Sequence, residues 1–263
     1  MRKVRQIGQS LRRLDAPCLA IVVPCYNEED VLSHTFASLR SRLSDLLKDG
    51  LAGSDSYICC ADDGSRDRTW DMIEAMSARH DEVRGLKLSR NFGHLGAVLA
   101  GMLECAVDAV VTIGAHLQDD ERCIAEILRR YRDGHDVVLG VRSDRSTDTG
   151  FKRFTAELRA LHAAGVRIVF NHAGFRLLSR EALTISREFR ESNLFLRGLI
   201  PLIGLPSAIV EYARKERLAG ESKSPLKKML ALAWEGVTSF SIMSLRAVAA
   251  IGAVISVGRL AFP

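Results

Sequence analysis

Aromatic residues are scarce in this 263-residue chain, with ten Phe, four Tyr and two Trp making up 6% of it. No segment interleaves them with basic residues, so the stacking-plus-phosphate pattern of nucleic-acid modules is missing and no nucleic-acid partner is expected. Cysteines stand at 18, 25, 59, 60, 105 and 123 and form neither a CxxC pair nor a pattern with spaced histidines, which argues against a zinc site. Gly93-His94-Leu95-Gly96 lacks the GxGxxG spacing and does not open the first βα turn, which argues against a dinucleotide oxidoreductase. Arg2, Lys3, Arg5, Arg12 and Arg13 precede the first strand without an apolar run, so no signal peptide is expected. Ala247–Gly258 is uncharged and apolar but only 12 residues long between Arg246 and Arg259, short of the ~20 that a full span needs. No internal repeat and no low-complexity segment is present.

What is present is ordinary globular composition, 47% apolar and 26% charged, in a chain long enough to bury a sizeable core. A net charge of +5 and a pI near 9.0 suit an anionic partner such as a nucleotide or a phospholipid surface. Cys25, Cys59, Cys60 and Cys105 lie in or beside apolar stretches, as reduced, buried thiols of a cytoplasmic compartment do.

Apolar periodicity predicts alternating strands and helices. Strands are expected at 19–23, 57–61, 83–88, 109–113 and 136–141, and helices at 29–47, 69–80, 96–106 and 121–131. The helix at 96–106 is rich in small residues and suited to close packing. This alternation predicts an α/β fold, an open, mostly parallel sheet with helices on both faces, whose ligands bind beyond the carboxyl ends of the strands. After Arg142 the pattern changes to a polar loop over 143–149, a helix at 151–164, a strand at 175–178 and a helix at 194–200. Residues 225–240 form an amphipathic pattern with Lys223, Lys227 and Lys228 at its start; such a helix lies in a membrane interface or faces a core.

The polar clusters fall at the expected strand ends. Pro24-Cys25-Tyr26-Asn27-Glu28-Glu29 follows the first strand and Asp62-Asp63-Gly64-Ser65-Arg66-Asp67 the second. A carboxylate there can accept hydrogen bonds from a ribose or a base edge, and Gly64 lets backbone approach; the same residues also make a good turn with a helix cap at Asp67.

Together with Leu88-Ser89-Arg90-Asn91-Phe92-Gly93, Leu117-Gln118-Asp119, Gly140-Val141-Arg142, Lys152-Arg153, Phe175-Arg176-Leu177-Leu178-Ser179 and Ala219-Gly220-Glu221-Ser222-Lys223, these motifs resemble glycosyltransferase family 2. The resemblance covers about residues 20–240 and is greatest to the branch that moves a hexose from a nucleotide sugar to dolichol or undecaprenyl phosphate. It implies a GT-A fold and an inverting hexosyltransferase at the cytoplasmic face of the cell membrane. The donor would be a UDP- or GDP-hexose, the acceptor a polyprenyl phosphate, and the cofactor Mg²⁺ or Mn²⁺; a homo-oligomer is left open. Pro24, Tyr26, Asn27, Glu28 and Asp62 or Asp63 would line the base and ribose pocket. Gln118, Arg142, Arg153 and Arg176 would serve the reaction at the diphosphate, and Arg90, Lys152, Arg217, Ser222 and Lys223 would meet phosphates. His116 and Gln118 would be what remains of the metal site.

The chain departs from the family's pattern at three positions. Asp-Ala-Asp-Leu-Gln appears here as Gly114-Ala115-His116-Leu117-Gln118, and the acid before Phe-Arg-Leu appears as Gly174. Divalent ions of this kind prefer oxygen ligands; glycine offers no ligand, and His116 can bind Mn²⁺ through its imidazole nitrogen but is a poor Mg²⁺ ligand. Two readings follow: a transferase with an altered site, or a relative without turnover that binds nucleotide or membrane or scaffolds a partner. The expected organisation is a basic arm at 1–18, the transferase domain at 19–222, an interfacial helix at 223–243 and an apolar tail at 244–263, shorter than the two membrane spans usual in such relatives.

Overall fold

The computed structural model describes residues 16–142, 172–188 and 204–213. The expected helices at 151–164, 194–200 and 225–240, the arm, the interfacial helix and the tail lie outside the described residues, as do Lys152, Arg153, Arg217, Ser222 and Lys223.

Seven strands form one sheet: β1 (Leu19–Cys25), β2 (Tyr57–Asp62), β3 (Val83–Lys87), β4 (Ala109–Thr112), β5 (Val137–Arg142), β6 (His172–Ser179) and β7 (Ser207–Tyr212). They lie in the order β3-β2-β1-β4-β6-β5-β7. Pairing is parallel from β3 through β4 and between β5 and β7, while β6 runs antiparallel to both its neighbours. The helices are α1 (Glu29–Lys48), α2 (Thr69–Arg79), α3 (His94–Glu104), α4 (Ile124–Arg132) and α5 (Arg180–Glu188).

β1 is an interior strand, between β2 and β4, and all seven of its residues are buried, because a parallel sheet with helices on both faces has no wet side. Side chains alternate between those faces. Leu19, Ile21 and Val23 pack with Leu32, Phe36, Leu39, Leu43 and Leu46 of α1, Ile73 of α2 and Ile127 and Leu128 of α4. Ala20 and Val22 pack on the other side with Val98 and Met102 of α3 and Ala182 and Leu183 of α5. The spacing of the buried α1 residues is the helical period expected of one apolar stripe. Small residues let α3 settle close to the sheet: a Cβ on Gly101 would stand 2.6 Å from Val22 Cγ1.

The chain goes from β1 to β2 on one side, then crosses from β3 to β4 on the other. β1 and β4 are therefore neighbours at a topological switch point, and their carboxyl ends open a crevice between diverging connections. Three details differ from the sequence expectation. The helix expected at 121–131 is a 3-10 turn at Glu121–Cys123 followed by α4. The other two, α5 and β7, were not expected. Of the limits expected for the transferase domain, 19 is the first residue of β1 and 222 lies outside the described residues.

Candidate active site

Beyond β1 the chain turns through Asn27, whose φ of +54° is a left-handed conformation that Asn tolerates better than most residues. This turn is fastened to the one after β2. The Asn27 N–H donates to Ser65 Oγ at 3.0 Å, and Asn27 Oδ1 accepts from the Arg66 N–H at 2.8 Å. The Glu28 N–H donates to Thr69 Oγ1 at 2.8 Å and the Glu29 N–H to Asp67 Oδ2 at 3.2 Å. Burial pushes the Asp67 carboxyl up, but hydrogen bonds from Thr69, the Glu29 N–H and its own N–H outweigh this and hold it below the ordinary carboxylate value.

The carboxylates after β2 build the turn. Asp62 is wholly buried and accepts from the Ser65 N–H at 3.3 Å; Asp63 Oδ1 accepts from the Phe92 N–H at 2.7 Å. Gly64, at φ +69°, sits where a Cβ would stand 2.8 Å from the Arg90 carbonyl carbon, so the Leu88–Gly93 segment stacks on the turn. At the surface the Arg90 guanidinium lies 4.2 Å over the Phe92 ring.

The turn after β4 carries the altered motif. Leu117 is buried yet has φ +47°, a strained conformation for an aliphatic residue, and its N–H donates to the Gly114 carbonyl at 3.0 Å. The Ala115 carbonyl accepts from the Thr35 hydroxyl of α1. Asp119 Oδ1 accepts from the Tyr212 hydroxyl of β7, and the Tyr212 ring meets Phe175 of β6 edge-on, 5.4 Å between centroids. His116 Nε2 stands 3.1 Å from Glu28 Oε2, which joins the β1 and β4 turns across the switch point.

Between these turns lies a cavity of about 170 Å³ lined by Pro24 of β1, His94 and Val98 of α3, the β4 residues and turn Thr112–Gly114, His116, Gln118 and Asp119, and Gly174 of β6. Of the residues expected from sequence, Pro24, His116 and Gln118 line it. Asn27, Asp62 and Asp63 stand in the turns around it and accept from the N–H groups of Arg66, Ser65 and Phe92, so the two aspartates are turn-builders as well as candidate ligands. Arg176 is 1% exposed and lies on the same face of β6 as Gly174, about 7 Å further along the strand. Arg90 is exposed beside Phe92, and Arg142 is the last residue of β5. Sequence reasoning missed His94 and Thr112 as lining residues; the signal for His94 was its place directly after Leu88–Gly93, at the start of α3. Cys25 is close by in sequence, but its hydrogen bond with Cys60 and its burial push the thiol well up, which leaves it unreactive. A larger, open depression of about 460 Å³ between α1 and the Glu121–Cys123 turn contains none of the residues expected from sequence.

The site does not fit a carboxylate-held divalent ion. Gly114 has no ligand atom in its side chain, His116 Nε2 is engaged by Glu28, and Asp119 Oδ1 accepts a hydrogen bond from the Tyr212 hydroxyl. Among the described residues, no three His, Cys, Asp or Glu side chains gather to hold a metal. The expected pair His116 and Gln118 therefore shares the cavity wall without forming an oxygen-rich ligand set.

Residues 20–185 match the family described as Glycosyl transferase family 2. The chain belongs to that family. An uncharacterised glycosyltransferase of Bacillus subtilis, YkoT, is 46% identical over 243 residues, 91% of this chain and 72% of the relative. A prophage bactoprenol glucosyl transferase homologue of Escherichia coli is 36% identical, covering 90% of this chain and 77% of its own. The bactoprenol glucosyl transferase of Shigella phage SfV is 37% identical, covering 87% and 73%. Among solved structures, the Pyrobaculum calidifontis mannosyltransferase in complex with GDP-Man and Mn²⁺ aligns with a TM-score of 0.54 at 15% identity, covering 93% of this chain and 81% of that one. The Mycobacterium tuberculosis glucosyl-3-phosphoglycerate synthase, with Mn²⁺, UDP and phosphoglyceric acid, aligns with a TM-score of 0.53 at 18% identity, covering 83% and 75%. The glycosyl transferase family 2 chain thus has the GT-A fold of these neighbours, and its switch-point cavity is where such a fold places a ligand.

Proposed function

We propose that the protein transfers a hexose from a UDP- or GDP-hexose to a polyprenyl phosphate, with inversion, at the cytoplasmic face of the membrane. The observation that carries this reading is identity of 36–37% over most of the chain to proteins named bactoprenol glucosyl transferases. The cavity between the carboxyl ends of β1 and β4 supports it from the side of geometry.

In this chemistry the acceptor phosphate oxygen is already anionic when it attacks the anomeric carbon, so no strong general base is required. What needs stabilising is the charge that develops on the departing nucleoside diphosphate. Pro24, Tyr26, Asn27 and Glu28 on the β1 turn, with Asp62 and Asp63 behind them, form the base and ribose side. Gln118 and Arg176, with Arg142 and Arg153, serve the diphosphate and the transferred sugar. Arg90, Lys152, Arg217, Ser222 and Lys223 meet donor or acceptor phosphate. The neighbours' Mn²⁺ complexes favour a divalent ion in this fold, whereas the donor set of this chain does not, so no step is assigned to one.

The test is an assay of purified full-length protein with UDP- and GDP-hexoses and undecaprenyl phosphate, with and without Mn²⁺, following product lipid. Hexosyl-phospholipid from at least one donor is the expected result; no product from any donor sinks the reading. Glycine at 114 and 174 favours a second reading, a chain that binds nucleotide and does not turn it over. Nucleotide binding without product would support that one.

A further inference from the structure

The cavity wall departs most from an acidic, metal-holding site at Gly114 and Gly174, and neither glycine is there because the backbone requires one. Neither adopts a positive φ. A Cβ on Gly114 would meet nothing within 4 Å, and one on Gly174 would meet only His94 Nε2 at 3.8 Å, an ordinary contact. A side chain fits at both places, so what glycine contributes is the absence of charge and bulk.

The remaining lining then has one carboxylate, Asp119, whose Oδ1 accepts from the Tyr212 hydroxyl. Against it stand the imidazoles of His94 and His116 and the amide of Gln118, and every imidazole carries at least one N–H. Glu28, next to the cavity, has Oε2 bonded to His116 Nε2 at 3.1 Å, which fixes that ring. Arg176 places a guanidinium two residues along from Gly174, 1% exposed, where its charge is felt more strongly than at the surface. An acidic pair at 114 and 116 would repel a diphosphate unless a cation lay between them. This lining has no need of that cation. Its volume of about 170 Å³ is smaller than the ~300–1,000 Å³ of pockets enclosing whole ligands, and suits one charged portion of a donor.

We propose that this cavity binds the diphosphate of a nucleoside diphosphate directly, without a bridging divalent ion, through His94, Gln118 and the charge of Arg176. The proposal rests on the transferase reading of the site and deepens it.

Isothermal titration of the full-length protein with UDP, GDP and inorganic pyrophosphate, in EDTA and then in Mn²⁺, tests it. At least one of these anions is expected to bind in EDTA, with a dissociation constant within about twofold of that in Mn²⁺. His94→Leu, which leaves no donor, is expected to weaken binding in EDTA by about tenfold, the effect of losing one hydrogen bond to a charged group. The double variant G114D/H116D is expected to lose binding in EDTA and regain it with Mn²⁺; its thermal transition, measured alongside, separates loss of affinity from loss of fold. Binding in the parent that appears only with Mn²⁺, or that Mn²⁺ raises tenfold or more, overturns the proposal and leaves the transferase reading standing. Failure of all three anions to bind in either condition overturns both.

Discussion

Gly64 shows how much a single position can hold in this site. Its φ of +69° and the 2.8 Å approach of the Arg90 carbonyl carbon leave no room for a methyl group, and the obstacle is backbone rather than a flexible side chain. Gly64→Ala is expected to cost about 2 kcal/mol, from strain in the left-handed region and the displaced Leu88–Gly93 segment. Urea denaturation checks the magnitude, and nucleotide titration on the same variant should show weakened binding because His94 follows that segment. Asp63 is the partner observation. With Oδ1 on the Phe92 N–H and 2% exposure, Asp63→Ala leaves a backbone donor unsatisfied. A loss of about 1–3 kcal/mol is expected in the same denaturation experiment. Asp-Asp-Gly-Ser was legible as a strand-end cluster with two uses, ligand and turn. The turn use is plain from the hydrogen bonds, which join segments 29 residues apart that no local pattern links.

At the scale of elements, α3 carries His94 into the cavity and is seated by Gly101. Val22 Cγ1 would stand 2.6 Å from a Cβ at 101, and Val22 cannot retreat, being β-branched and buried in an interior strand. Gly101→Val is expected to lift α3 from the sheet at a cost of about 1–3 kcal/mol. Thermal melting should show the loss, and nucleotide affinity should fall with it because His94 moves. A second joint is the ion pair between Arg40 of α1 and Glu82 before β3, 2.8 Å apart. Its own N–H and then Arg40 hold the Glu82 carboxyl below the usual glutamate value. The folded-state value is the lower one, so the stabilisation is present above the unfolded value and is lost as pH falls through the folded one. Both side chains are about a third exposed, and screening leaves about 0.5 kcal/mol or less. Glu82→Gln should therefore lower stability slightly at neutral pH and lose that effect in acid, once Glu82 is protonated in both states, read from urea midpoints at neutral and acid pH.

The elements of the first half were legible because each repeats one signal, an apolar strand followed by a helical stripe. In the second half that signal fails. α5 is only nine residues long and follows β6 with no residue between them, so it falls short of the 11–18-residue window over which a helical stripe is read. β7 leaves Ile209 half exposed at the sheet edge and exists through its pairing with β5, some 70 positions earlier. The reversed direction of β6 has no local signature at all. His94 was overlooked because its value comes from α3 meeting Gly174 across the switch point, a contact between residues 80 positions apart.

At the scale of the whole molecule, the ends of β1, β2 and β4 gather the candidate residues from Pro24 to Gln118 at one edge of the sheet, while net charge governs how the molecule meets a surface. Lys and Arg exceed Asp and Glu by 37 to 32, and Lys227 and Lys228 stand at the start of the amphipathic pattern at 225–240. A lipid acceptor is reached only at a bilayer, so attraction to anionic headgroups, about 1 kcal/mol for each basic residue near the surface, acts on encounter rather than on chemistry. K227E/K228E is expected to reduce sedimentation with vesicles containing phosphatidylglycerol, and to do so less at 0.5 M salt than at about 0.1 M, where the Debye length is near 10 Å. Turnover of undecaprenyl phosphate in those vesicles should fall in parallel, whereas turnover of a short-chain, water-soluble prenyl phosphate should not change. Equal loss on both acceptors would place these lysines in the reaction itself and remove the membrane role from them.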